Sequence, residues 1–346
     1  MKQAFWVGRY SQIFSGTLFG RALVSGAFGA LLAVVFAIGH ANAQAYPSRA
    51  VKVIVPFGAG SATDVTARLL ADKLGESLGA NFVVENRTGA GGNIGTDAVA
   101  KADPDGYTLS YTAIGPLSIN KTLFAKMPYD PEIDLEPISL IARLPNLLVI
   151  NPKFIPAKNV AEFIAYAKAH PGEINYSSIG IGSSQHLAAV QFELTAGIKM
   201  KHVPYRGGPQ MMTDLIKGEV PVTFQNIPTV LGPLGTGQIK VLAITTAKRN
   251  KVMPDIPTMQ EEGVKDFDSS AWFGFLAPKG TPVAVLDKLN AETVKVLADP
   301  NVSKRMIEIG AEPSPMSRAQ FKAFIAAEVV KWRKVIDDSG IPKVDQ

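Results

Sequence analysis

Three glycine-rich turns, each set between an apolar run and a helix-like run, are where this 346-residue sequence could do chemistry. The first is Pro56-Phe57-Gly58-Ala59-Gly60-Ser61-Ala62-Thr63-Asp64. Gly58 and Gly60 clear side chains from the approach to a helix, and Ser61 with Asp64 three residues on is a capping-box pattern that predicts a helix from Ala62. A helix start exposed in this way offers free N–H groups and the positive end of the helix dipole, which suits an anion. The third turn, from Asn175 to His186, repeats the arrangement: Gly180 and Gly182 open it, and Ser183 or Ser184 can cap the helix that follows. The second, Thr88-Gly89-Ala90-Gly91-Gly92-Asn93-Ile94-Gly95, reads as a wide loop whose glycines supply positive φ rather than ligand contact.

Other chemistries fit these residues poorly. GAGSAT lacks the third glycine of a dinucleotide fingerprint and the lysine of a P-loop, although Glu85 sits near the distance at which a ribose-binding acid would follow. A Ser–His–Asp hydrolase using Ser183 or Ser184, His186 and Asp64 is the alternative. It lacks the G-x-S-x-G elbow, and a histidine on the same helical turn as the serine makes a poor base. The four histidines form no metal-ligand spacing, so neither a metal nor a cofactor is expected. Basic residues are scattered rather than striped, which argues against nucleic acid.

The elements around the turns alternate. Strand-like runs at Val51–Pro56, Phe82–Glu85, Tyr107–Thr112, Leu147–Ile150, Asn175–Ser178, His202–Tyr205, Val220–Gln225 and Val241–Thr245 are interleaved with helical runs at 66–78, 96–102, from 185 and at 211–217. That alternation predicts α/β units with parallel sheets. Toward the C-terminus, Thr281-Pro282 reads as a cap followed by a helix, and Ser317 with Gln320 as a capping box. The box opens a helix with Phe321, Ile325, Val329, Trp332 and Ile336 on one face, so Trp332 belongs to the core.

Composition agrees with a globular chain, 47% hydrophobic and 19% charged, long enough for two domains. The absence of cysteine excludes disulfides, thiolate metal sites, a cysteine nucleophile and a lipidated N-terminal cysteine. The net charge of +5 is concentrated at the front: residues 1–43 hold Lys2, Arg9 and Arg21 and no acid. With the uncharged run from Ala22 to Ile38 and the Ala41-Asn42-Ala43 site, they read as a cleaved signal peptide rather than an anchor. The expected mature chain begins near Gln44 and is periplasmic.

The runs YPSRAVKVIVPFGAGSATDVTARLLADKLGESLG, VVENRTGAGGNIGTDAVAKADPDGYTL, NYSSIGIGSSQHLA, HVPYRGG and WFGFLAP closely resemble the Bug (TctC) family, the periplasmic solute receptors of tripartite tricarboxylate transporters. The resemblance covers nearly all of the mature chain. It implies a non-catalytic, monomeric receptor with the α/β, type II periplasmic-binding-protein "Venus flytrap" fold. The chain would cross between lobes near Asn146 and Ser269, giving one lobe of 46–146 plus 270–346 and another of 147–269. It also implies a small carboxylate ligand held between the lobes and delivery to the transporter's membrane components. The expected ligand-binding residues are Phe57, Gly58, Ala59, Gly60, Ser61 and Asp64 in the first turn, and Gly180, Gly182, Ser183 and Ser184 in the third. Tyr205 and Asn226 are expected as wall donors, and Arg206 either as the partner of a salt bridge to the ligand or as a solvated surface residue. Phe57 would stack on a ring or alkyl chain, and Trp272 would either do the same or pack in the core. Ser61 stands where the family commonly has a glycine, which puts a side chain at the pocket rim.

Overall fold

Two mixed sheets share one long strand. In the computed structural model, which describes residues 46–205 and 207–345, the first units are β1 (Val51–Val55), α1 (Ala62–Leu78), β2 (Phe82–Asn86), α2 (Asn93–Ala100) and β3 (Thr108–Ala113). A π-helical turn at Gly115–Ile119 and the short α3 (Asn120–Leu123) lead into β4, which runs sixteen residues from Leu135 to Ile150. Then follow α4 (Val160–Ala169), β5 (Asn175–Ser178), α5 (Ser184–Ala196), β6 (Lys201–Pro204), α6 (Gly208–Lys217), β7 (Val222–Asn226), α7 (Ile227–Leu234) and β8 (Lys240–Ile244). The chain ends with β9 (Ser270–Pro278), α8 (Val283–Ala298), α9 (Pro300–Glu308), β10 (Glu312–Pro313) and α10 (Arg318–Ser339). The signal-peptide segment lies outside the described residues, as does Arg206.

The strand order is β2-β1-β3-β9-β4-β7-β5-β6, with β8 and β10 also paired to β4. Strands joined by crossover helices are parallel, as the alternation predicts: β1 with β2 and β3, and β5 with β6 and β7. The expectation of parallel sheets fails at β9 and β4, which run antiparallel to their neighbours. The first half of β4, to Pro145, pairs with β9, and the second half, from Asn146, pairs with β7 and β8. One strand therefore leaves the first sheet and enters the second.

Thr245 joins this crossing to the return path. Its hydroxyl accepts from the Asn146 N–H at 2.9 Å and lies 2.5 Å from the Ser269 carbonyl, while the Ser269 N–H donates to the Thr245 carbonyl at 2.9 Å. With Thr245 and Ser269 fully buried, the two connections are fixed side by side.

Each sheet has its own core. Leu148, Ile150, Phe192, Phe224 and Phe267 pack on the second sheet, and Leu117, Leu140, Trp272 and the buried face of α10 on the first. The α10 face is Phe321, Ile325, Val329, Trp332 and Ile336 as predicted, and Ser317 and Gln320 form the full capping box. Leu187 and Val190 of α5 belong to the first-sheet core, so α5 bridges the two halves. Thr281 does not cap α8. Its hydroxyl turns back to the Pro278 carbonyl at 2.8 Å, and Pro282, at φ −55° and ψ 135°, precedes the first helical residue.

Candidate functional site

The first and third turns are built alike. Gly58-Ala59-Gly60-Ser61 and Gly180-Ile181-Gly182-Ser183 each end in a serine N-cap, at φ −68°, ψ 159° and φ −72°, ψ 158°. The Ser61 hydroxyl accepts from the Asp64 N–H at 3.2 Å, and the Ser183 hydroxyl from the His186 N–H at 3.3 Å. The glycine before each serine has positive φ, +76° at Gly60 and +78° at Gly182, which is why glycine is needed there. The expected reciprocal bond of the first capping box lands one residue earlier than the pattern requires: Asp64 Oδ2 accepts from the Gly60 N–H at 2.9 Å. Its counterpart in the third turn is His186 Nδ1, which accepts from the Gly182 N–H at 3.3 Å.

These bonds leave donors over. The cap side chain takes the third helical N–H and the cap carbonyl takes the fourth, at Val65 and Leu187. The first two N–H groups of each helix, at Ala62, Thr63, Ser184 and Gln185, have no acceptor among the described residues. Thr63, Ser183, Ser184 and Gln185 line one small chamber of about 20 Å³, whose other walls include Phe57, Ile179 and Asn226. The Thr63 side chain is 3% exposed, and its hydroxyl makes no hydrogen bond among the described residues. Outside this chamber lies a cleft of about 740 Å³ lined by Phe57, Gly58, Gly180 and Tyr205, and Phe57 and Ile179 border both spaces.

The expected residues thus fall into three groups. Phe57, Ser183, Ser184 and Asn226 meet at the chamber, and Phe57, Gly58, Gly180 and Tyr205 at the cleft. Ala59, Gly60, Ser61, Asp64 and Gly182 line neither: Ala59 and Gly60 are exposed, and Ser61 is the cap. Burial works against the charge of Asp64, but bonds from Arg68, the Gly60 N–H and Asn86 hold its carboxyl below the ordinary value. Gly182 is buried, and a Cβ there would strike the Asn120 side chain. Asn226 is not a free donor, since its amide donates to the Pro145 carbonyl and Asn146 Oδ1, both at 3.1 Å. The Tyr205 hydroxyl donates to Asp214 at 2.8 Å, and burial followed by that carboxylate raises its pKa to about 12. Trp272 is no stacking surface: it is 1% exposed, packs edge-on against Phe321 and Phe324, and donates to Glu328 at 2.8 Å.

The hydrolase arrangement does not assemble. Ser183 donates to the Gly180 carbonyl at 2.7 Å, and Asp64 is engaged by Arg68. The His186 ring stacks on His202 at 4.1 Å, and burial, with His202 as a second cause, lowers its pKa to about 3. An imidazole so weakly basic is a poor general base at neutral pH.

Two contributions escape the sequence reading. The second turn is a wall of the cleft, through Thr88, Gly89, Ala90, Gly91, Gly92 and Ile94. A Cβ on Gly91 would come within 2.7 Å of the Ile181 carbonyl, so this loop meets the third turn backbone to backbone. Glycines needed for close approach and glycines needed for positive φ look the same in a sequence. Thr63 and Gln185 were also legible in principle, because both follow their cap serine by two residues and so sit in the first helical turn.

The family profile described as "Tripartite tricarboxylate transporter family receptor" matches residues 66–341. Protein BugT of Bordetella pertussis is 37% identical over 313 residues, 90% of this chain and 96% of BugT. Among solved structures, R. palustris Rpa4515 with adipate is 38% identical with a TM-score of 0.83, over 86% of this chain and all of that one. MatC (Rpa3494) from Rhodopseudomonas palustris, with bound malate, is 32% identical with a TM-score of 0.79, over 84% of this chain and all of MatC.

Proposed function

The chain belongs to the tripartite tricarboxylate transporter receptor family, whose members are solute receptors and not enzymes, and from that premise we propose a periplasmic receptor that closes two lobes on one small carboxylate. The lobes are 46–146 with 270–346, and 147–269. The observation that carries this reading is the convergence of two helix starts, one from each sheet, on a single chamber with unpartnered N–H groups. A carboxylate there would accept from the main-chain N–H groups of Thr63, Ser184 and Gln185, with the Thr63 and Ser184 hydroxyls beside it. Hydrogen bonds to a charged group contribute about 1.5–3 kcal/mol each.

Because the donors sit on different lobes, a ligand that bridges them binds the closed form more tightly and shifts the population toward it. The closed form would then deliver its ligand to the membrane components of the transporter. Relatives with adipate and malate bound support a carboxylate class. Arg206, beside Tyr205, is the proposed anchor for a second anionic group where a ligand has one.

Thermal melts with a panel of carboxylates test the reading. At a hundred times Kd, a ligand that binds only the folded chain adds about 2.7 kcal/mol, a rise of roughly 5 °C or more in Tm. No shift with any carboxylate, together with turnover of an ester or amide, would overturn it.

A further inference from the structure

The third turn rests on the other half of the molecule backbone to backbone. A Cβ on Gly115 would come within 2.5 Å of the Gly182 carbonyl oxygen, one on Gly91 within 2.7 Å of the Ile181 carbonyl oxygen, and one on Gly182 would strike Asn120 Oδ1. Gly91, Gly115 and Asn120 all precede β4, whereas Ile181 and Gly182 follow β5, so the contact runs between the two proposed lobes. Gly91 and Gly182 have positive φ, which by itself favours glycine. Gly115 does not. It opens the π-helical turn, where the backbone suits alanine better than glycine. With Gly182 set aside, the nearest atom outside that turn to a Cβ on Gly115 is the Gly91 carbonyl oxygen at 3.7 Å, an ordinary contact. Only the approach of the third turn excludes a side chain at this position.

Asn120 gives an independent sign that the contact is made and unmade. It is fully buried, and its Nδ2 donates to the Gly91 carbonyl at 3.1 Å and to Asn93 Oδ1 at 2.7 Å. Its Oδ1, the atom that faces Gly182, is buried with no hydrogen-bond partner among the described residues. A bare buried acceptor is costly, and withdrawal of the third turn would return it to water. Seating the turn is therefore favourable only when another interaction offsets that loss.

We infer that Gly115 is a positioning residue for ligand capture, whose missing side chain lets the third turn seat on the first lobe as the cleft closes over a ligand. This rests on the two-lobe carboxylate reading and adds to it the contact through which closure acts. Gly115 also borders the chamber, so a side chain there can act by unseating the turn or by crowding the ligand. A double-mutant cycle separates the two.

Calorimetry on the whole mature chain uses a panel of carboxylates that includes adipate, malate, hexanoate and benzoate. Gly115→Ala is expected to weaken every acid that binds by roughly 5- to 150-fold, the range of an overpacked contact. Its Tm without ligand is expected to stay level or rise, since the open form has room for the methyl group. Gly182→Ala, at a residue that lines neither space, completes the cycle. If both changes keep the turn off its seat, the second costs little after the first, and the double variant binds within about threefold of the weaker single one. Losses that multiply, as crowding of the chamber alone would give, would overturn the inference. So would an unchanged affinity for Gly115→Ala, or a Tm that falls along with the affinity. In each of those cases the carboxylate receptor stands. Should the double variant not fold, small-angle scattering replaces it: a saturating acid is expected to compact Gly115→Ala less than the unmodified chain, and equal compaction would overturn the inference. Failure of every carboxylate to bind the unmodified chain would overturn both readings.

Discussion

The helix starts at Ser61 and Ser183 share their cap, their glycine conformation and a side chain three residues on that folds back to the glycine N–H, yet that side chain is a carboxylate in one and an imidazole in the other. Asp64 sets a negative charge at the positive end of α1, largely answered by Arg68 at 2.9 Å. His186 sets a neutral ring at the start of α5, since Nδ1 accepts from Gly182 and burial opposes protonation. The two turns also differ in surroundings: Gly60 has no atom within 4 Å of a would-be Cβ, whereas Gly182 is pressed on Asn120. One local design therefore serves two purposes. The first turn is an exposed rim stabilised by ions, and the third is a buried contact whose polar groups must stay uncharged.

Acid should separate them most. His186 and His202 have pKa values lowered by burial to about 3 and about 4, from an ordinary 6.5. Below pH 6.5 the unfolded chain binds protons that the folded chain refuses, so this stability is complete above 6.5 and is lost as pH falls toward 4. The loss is up to about 1.4 kcal/mol per pH unit for each histidine. Melts from pH 8 to 4 should show Tm falling over that window. Glu193, whose pKa burial raises to about 7 from an ordinary 4.5, adds stability as pH falls between those values and offsets one histidine there. His186→Gln, which keeps an acceptor for Gly182 but takes no proton, should therefore remove most of the slope; an unchanged slope would remove His186 from the account.

Alanine at the two glycines is the next contrast. Each variant loses about 1–2 kcal/mol of stability for a left-handed residue, but only Gly182→Ala also forces a Cβ onto the Asn120 side chain, at the contact proposed to form when the lobes close. Overpacking at 1–3 kcal/mol predicts a loss of roughly 5- to 150-fold in carboxylate affinity for Gly182→Ala. Gly60→Ala should leave affinity within a few-fold. Equal effects by calorimetry would mean that the closed contact does not gate binding. The caps, by contrast, should match: Ser61→Ala and Ser183→Ala each remove one N-cap bond, costing about 1 kcal/mol and roughly 2–4 °C in Tm. Asp64→Asn has the smallest expected effect and the opposite sign. It keeps an oxygen for Gly60 and removes a charge worth about 0.3–1 kcal/mol near the helix start. Affinity for a carboxylate anion should therefore rise about two- to fivefold, and a loss would place Asp64 in direct support of the ligand.

Both turns were readable in the sequence because capping chemistry is local: Ser61, Ser183 and the glycines beside them state their own conformation. The crossing strand was not. Only Leu147–Ile150 looked like a strand, because Pro137, Pro145, Glu136 and Arg143 interrupt the apolar pattern of β4 before it. Those residues are tolerated because β4 changes partners at Asn146 and bulges twice against β9. In β9, Gly274 and Pro278 hide the strand in the same way, and Gly274 is small because the Phe321 ring lies on it. The cleft wall made by the second turn escaped for a tertiary reason, since its role depends on Ile181, ninety residues away in sequence.

The unpartnered donors at Thr63, Ser184 and Gln185 belong to the main chain, and that has an evolutionary consequence. A point mutation can replace any side chain, but only proline removes a backbone N–H. A receptor of this construction would keep its grip on the anion through most substitutions of those three residues. Its choice of ligand, written in side chains such as Ile94, Phe124 and Ile181, would be free to drift. Duplicated copies could then acquire new solutes without first rebuilding the feature common to all of them.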